Sequence, residues 1–205
     1  MKKALIVIFL ILFLDQVFKI YIKLTMTLGE EIQVFGDWFK LYFTENYGMA
    51  FGMEFGGEWG KLSLSIFRIL AIIAIGVYLY MLTRNKRKHT GLIISISMIF
   101  AGAIGNIIDS AFYGMIFTQS SYHTVAEFAA AGEGYSSFLH GRVVDMFYFP
   151  IINISQSELP SWLPDFLFGY DNRLVFFRPI FNIADSSITT GVFWLILFER
   201  KHLSA

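Results

Sequence analysis

Four stretches of this chain, at about 4–24, 61–83, 91–112 and 179–198, are apolar over the roughly 20 residues that a helix needs to cross a bilayer. With 56% hydrophobic and 18% aromatic residues, the class is membrane protein rather than water-soluble domain. Half of the 16 Lys and Arg residues lie at Lys2–Lys3, in Arg84-Asn-Lys-Arg-Lys-His89, and at Arg200–Lys201. The positive-inside rule then places both termini and the 84–90 loop in the cytoplasm, and 25–60 and 113–178 outside. No soluble-domain boundary or internal repeat interrupts this plan, so residues 1–205 read as one integral membrane domain.

The first span resembles a secretory signal peptide in having Met-Lys-Lys before an apolar run from Ala4 to Leu14. No small-x-small cleavage site follows, and the pattern continues through Asp15, Lys19 and Lys23, which predicts a retained helix. In the first outer segment, Ile32–Phe35 and Trp38–Phe43 are alternating β-prone runs around Gly36-Asp37, which predicts a hairpin. Gly48, Gly52, Gly56, Gly57 and Gly60 predict a mobile loop with a short interfacial helix around 53–59. The second outer segment carries no clear helical period.

Carboxylates inside apolar segments are costly and mark functional sites by default. Asp15 and Lys19 stand at i and i+4, the spacing of an intrahelical ion pair, which either neutralises itself or braces a site. On the self-neutralising reading, Lys19 and Lys23 snorkel outward. Gly102, Gly105, Asn106 and Asp109 share one face of the third span, as in close helix packing; Asp109 is either support for a site or exposed at the helix end. Pro179 suits a first helical position, which would put Asp185 six residues in, about 9 Å below the helix start, with Asn182 on the same face. Arg68 lies at comparable depth and pairs with a carboxylate or snorkels. Asp145 closes Gly141-Arg-Val-Val-Asp in an aromatic outer run. Asp145 and Asp185 together are the minimal kit for hydrolysing an amide, one as base on water and the other, kept protonated by its neighbour's charge, as acid.

Other chemistries lack their residues. There is no cysteine, hence no thiol nucleophile or thiolate metal site. No His-Glu-x-x-His occurs, and His89, His123, His140 and His202 are scattered, so no metal or other cofactor is expected. No Gly-x-Ser-x-Gly is present. Tyr170-Asp171 lies in a polar loop and has no Gly-x-Gly-Asp partner. Zero net charge gives no sign of a nucleic-acid partner. A monomer is expected.

Taken together, five blocks resemble the bacterial lipoprotein signal peptidase family, signal peptidase II. They are Asp15-Gln-x-x-Lys19, Asn46-x-Gly48-x-Ala50-Phe51, Gly102 with Gly105-Asn106-x-x-Asp109, Gly141-x-Val143-Val144-Asp145, and Phe181-Asn182-Ile-Ala184-Asp185-Ser186. The resemblance implies an all-α membrane protein of four transmembrane helices with a small extracytoplasmic β-cradle. It also implies cleavage of diacylglyceryl-modified prolipoproteins amino-terminal to the lipidated Cys, in the bacterial inner membrane near its outer face. Asp145 and Asp185 fall on the family's catalytic pair. Asn46, Asn106 and Asn182 fall on its site-lining positions, and Asp15, Lys19, Gly48, Asp109 and Arg142 are candidates for substrate binding or support. Where the family often has Arg after the third-span aspartate, this chain has Ser110, so the charge partner of Asp109 must come from elsewhere, Arg68 or Arg142. The connection between the third and fourth spans is longer than is usual in the family.

The resulting expectation is an aspartyl peptidase whose substrate enters sideways from membrane lipid, with 53–60 as a candidate lid and no covalent intermediate. The rival from another class is a small proton- or cation-coupled transporter using Asp15, Asp109 and Asp185. It leaves Asp145 and Asn46-Tyr-Gly unexplained. A non-catalytic assembly scaffold is a third reading.

Overall fold

The computed structural model describes residues 1–46, 57–84, 89–160, 162–169 and 172–202. The first helix, α1 (Lys2–Thr25), is followed by β1 (Glu31–Phe35), β2 (Phe39–Asn46), and the long α2 (Gly57–Arg84). Next, α3 (Thr90–Ile108) runs through a π turn, Asp109–Tyr113, into a last turn, α4 (Gly114–Ile116). After a long excursion come β3 (Val143–Tyr148), β4 (Ile152–Ser155), β5 (Arg173–Phe176), β6 (Ile180–Phe181) and α5 (Ile183–Trp194). Gly48 and residues 53–56 of the expected lid lie outside the described residues.

Among the described residues, three helical stretches are long and apolar enough to cross a membrane: Lys2–Thr25, Gly60–Arg84 and Thr90–Ile116. Their outward faces carry exposed Phe9, Phe13, Phe67, Leu70, Ile73 and Met81, an arrangement suited to lipid rather than water. The expected fourth span is shorter as an α-helix. Its 12 residues continue only through a π turn, Leu195–Glu199, and a 3-10 turn, Arg200–His202.

That helix also starts later than Pro179 suggests. Ile180 and Phe181 pair with Tyr148 and Phe147 as an edge strand, so the backbone stays extended until Asn182 caps the helix. Asp185 is therefore in the first turn, not six residues deep. Asn182 Oδ1 accepts the Asp185 N–H, and Asp185 Oδ2 accepts the Asn182 N–H, a reciprocal capping box.

The predicted hairpin is present. Gly36 takes a φ of +49° at the turn, a conformation that side chains disfavour. The four-stranded antiparallel sheet has the order β1-β2-β3-β6, and β4-β5 forms a separate hairpin. The register sets Thr44 opposite Asp145 and Asn46 opposite Val143, so Asn46 lies diagonally across from Asp145 on the same face. Pairing of Phe147 with Phe181 brings Asn182 alongside as well.

The unassigned stretch between Phe112 and Gly141 folds back over the end of α3. Carbonyls of the π turn and of the helix end serve as acceptors there: Ser110 O accepts from Gly141 N at 2.8 Å and Gly114 O accepts from Ser136 N at 2.8 Å. At this end a core forms from Ile22, Met26, Phe43, Tyr113, Phe117, Val144 and Met146. At the other end Ala4, Leu79, Leu82, Leu92 and Ile96 pack together.

The small-residue face of α3 allows close approach of α5. A Cβ on Gly102 would collide with the Ala184 carbonyl oxygen and lie 2.7 Å from Ile188 Cγ1; one on Gly105 would lie 2.7 Å from Asp15 Oδ2. Because a backbone carbonyl cannot swing aside, Gly102→Ala is expected to cost about 1–3 kcal/mol of stability. Thermal unfolding in detergent measures this, and an unchanged midpoint would contradict the packing.

Candidate active site

The polar face of α1 enters the bundle rather than snorkelling. Asp15, Lys19 and Lys23, spaced four apart, are all fully buried. Lys19 Nζ reaches Asp15 Oδ2 at 2.9 Å, Asp109 Oδ2 at 2.8 Å and Asn106 Oδ1 at 2.9 Å, using all three of its donors. Asp109 is thus an internal support and not an exposed helix end. Its cation is Lys19, which corrects the expectation of Arg68 or Arg142.

Each of these two aspartates also holds a backbone N–H beside a candidate residue. Asp15 Oδ1 accepts from Ala184 N at 2.8 Å, one residue before Asp185, within the first turn of α5, where a negative charge is favoured. Asp109 Oδ2 accepts from Val144 N at 3.2 Å, one residue before Asp145. Gln16 links the pair, donating to Asp15 Oδ2 and Asp109 Oδ1 at 3.1 Å each, and its Oε1 accepts from Tyr113 at 3.1 Å. The Asp15–Lys19 pair is therefore a joint between helix and sheet. In the sequence it appears as a local i,i+4 contact.

Three asparagines surround the two carboxylates. Asn182 Nδ2 donates to Asp145 Oδ1 at 2.6 Å, to Val144 O at 3.2 Å and to Asn106 Oδ1 at 3.1 Å. Asn106 Nδ2 donates to Asp185 Oδ1 at 2.7 Å, and Asn46 Nδ2 donates to Asp145 Oδ2. Asn182 therefore touches both Asp145 and Asp185. Asp145 is 2% exposed, while Asp185 is half-buried. Burial, and then the neighbouring charge of Asp185, hold the Asp145 carboxyl well above the usual carboxylate range. Arg68 lies within electrostatic reach of both Asp185 and Asp145.

Arg142 belongs to a second polar network. Its Nη1 lies 3.5 Å from Glu45 Oε2, its guanidinium stacks 5.6 Å from the Tyr135 ring, and its backbone N–H donates to Tyr135 at 2.7 Å. Glu45 also pairs with Lys23, whose ammonium donates to Ser120 at 2.9 Å. Glu45, Ser120 and Tyr135 were not singled out from sequence; Gln16 stood there only as part of a motif block, and Lys23 only as a residue that snorkels outward. The inward direction of Lys23 was legible from its spacing, since it continues the Asp15–Lys19 face.

By fold this is a membrane protein, and its buried polar chemistry gathers where the ends of α1, α3 and α5 meet the sheet. The family model for signal peptidase (SPase) II matches residues 7–200. The lipoprotein signal peptidase of Porphyromonas gingivalis is 47% identical over 198 residues, 95% of this chain and 81% of that protein. That of Amoebophilus asiaticus is 35% identical over 192 residues, 93% of this chain and 74% of that protein. A bacterial membrane enzyme solved by the in meso method at 2.3 Å resolution is 26% identical, with a TM-score of 0.63 over 98% of this chain and 89% of that one. A second, at 1.9 Å, is 27% identical with a TM-score of 0.59, covering 96% and 92%. The chain belongs to the signal peptidase II family.

Proposed function

We propose that this chain is an aspartyl endopeptidase that removes the signal peptide from diacylglyceryl-modified prolipoproteins, cleaving amino-terminal to the lipidated Cys with Asp145 and Asp185 as the catalytic pair. The observation that carries the reading is Asn182, which bonds to both carboxylates and belongs to the capping box that fixes Asp185. The family and its lipoprotein signal peptidases support the substrate class and give no support to the transporter reading.

In this mechanism ionised Asp185 takes a proton from a water that adds to the scissile carbonyl. Protonated Asp145 donates to the developing oxyanion and then supplies the leaving amine. Asn46, Asn106 and Asn182 keep the carboxylates aimed, and Arg68 tempers their combined negative charge. Lys19 with Asp15 and Asp109 braces the strand and helix that carry the pair. The helical run Ile183–His202 is the fourth span, both termini face the cytoplasm, and the site opens near the extracytoplasmic face, where water meets a peptide arriving from lipid. The exposed aromatic residues on β1 and in the β1–β2 turn, Phe35 and Trp38, suit the headgroup level there.

The test is incubation of the detergent-solubilised chain with a diacylated prolipoprotein and with the same precursor left unmodified. Free signal peptide is expected from the first only; its absence from both would return the chain to the transporter or scaffold readings. Cleavage should also be bell-shaped in pH. Asp145 must be protonated, and its carboxyl is raised, so the alkaline limb marks loss of that proton and lies above the usual carboxylate range. The acid limb belongs to the pair as a unit. A rate still rising at alkaline pH would contradict the assignment of Asp145 as acid.

A further inference from the structure

The end of α3 remote from Asn106 and Asp109 carries a second cluster. His89 is the N-cap residue of α3, Glu199 closes the π turn after α5, and His202 lies in the following 3-10 turn. Glu199 is only 2% exposed, and Gly91 makes room for it, since a Cβ there would collide with Glu199 Oε1. A carboxylate buried at the end of an apolar helix is stable only beside a cation or strong donors. His89 Nδ1 approaches Glu199 Oε2 at 2.8 Å and Oε1 at 3.0 Å. The His202 ring stacks on that of His89, with centroids 4.7 Å apart. One ligand atom from each of the three residues falls within 4.8 Å of the others.

We propose that His89, Glu199 and His202 bind a divalent transition-metal ion of the zinc class, clamping the chain's final turns to the start of α3. Two imidazole nitrogens and one carboxylate oxygen form a borderline-soft set that suits zinc, whereas magnesium and calcium select oxygen-only shells. Bonds of about 2.0–2.1 Å require the three atoms to draw in to roughly 3.3 Å of one another. The His89 side chain is 57% exposed and can turn to do so. Glu199 is the fixed ligand, the two imidazoles close on it, and water completes a tetrahedron. Arg200 and Lys201, between the ligands in sequence, are exposed and hold their charge in water. The cluster lies away from the aspartates, so the ion is structural and plays no part in cleavage.

The experiment uses the full chain purified without a histidine tag, stripped with EDTA, then dialysed against Zn²⁺ or Co²⁺. The wild type is expected to retain one Zn²⁺ per chain, gain thermal stability from it, and show the visible bands of tetrahedral Co²⁺. Glu199→Gln keeps the shape and a hydrogen bond to His89, and His202→Ala removes the half-buried imidazole. Each should unfold like the wild type in EDTA yet bind Zn²⁺ more weakly by at least about 100-fold, beyond what loss of an outer-shell partner costs. His123→Ala, outside the cluster, should bind as the wild type does. No retained zinc in the wild type, or zinc held equally by Glu199→Gln and His202→Ala, would overturn the proposal and leave a His89–Glu199 ion pair alone. Because metal content is read without substrate, its result is independent of the peptidase reading.

Discussion

Asp145→Asn and Asp185→Asn are each expected to reduce signal-peptide release by about 10²–10⁴-fold or more, with the protein still folded, because each removes one proton-transfer role. At position 145 the change replaces a buried carboxyl by a neutral amide of the same shape. The β3 ladder is untouched; the new amide oxygen still accepts from Asn182 Nδ2, and turning the Asn46 amide alone restores donor–acceptor pairing on the other side. Stability should hold or rise slightly, since burial already disfavours the charged form of Asp145. At position 185 an amide oxygen still accepts from Asn182 N or Asn106 Nδ2, but the negative charge in the first turn of α5 is lost. That costs about 0.3–1 kcal/mol. Full activity in either variant, matched for folded protein, would remove that residue from the mechanism.

The largest effect on stability is expected from Lys19→Met. The ammonium has three partners, and two of them, Asp15 and Asp109, are fully buried carboxylates. Methionine fills a similar volume but leaves both without their cation, at a cost of about 3–5 kcal/mol. Those carboxylates hold Ala184 N and Val144 N, so activity should fall together with the fold. Asp15→Asn keeps an oxygen for Ala184 N and should lose less. Denaturant or thermal unfolding measures both. A Lys19→Met protein within about 0.5 kcal/mol of the wild type, the range of ordinary surface changes, would contradict the buried network.

Much of this arrangement was legible in the sequence because its signals are local. Apolar length marked α1, α2 and α3, and strand alternation around Gly36-Asp37 marked the β1–β2 hairpin. The motif blocks singled out Asp145, Asp185 and the three asparagines, which the structure gathers together. What escaped depends on partners distant in sequence. Pro179 reads locally as a helix start, but pairing of Ile180 and Phe181 with β3 delays the helix to Ile183. Asp109 was ambiguous because its partner, Lys19, is on another helix. Arg142 follows Gly141 in a motif block, yet its charge turns to Glu45 and Tyr135. The fold-back of the long insertion uses carbonyls of a π turn and of the helix end beyond it, and the sequence of α3 gives no warning of that turn.

The central claim, that Asp145 and Asp185 act as one unit on one water, is tested most directly by the rate of signal-peptide release from the double variant Asp145→Asn/Asp185→Asn set beside the two single variants. Residues that act as a unit are grossly non-additive. The double variant should therefore be no slower than the more damaged single variant. Losses that multiply, so that the double variant falls by the product of the two single effects, would show two independent contributions and contradict the shared site.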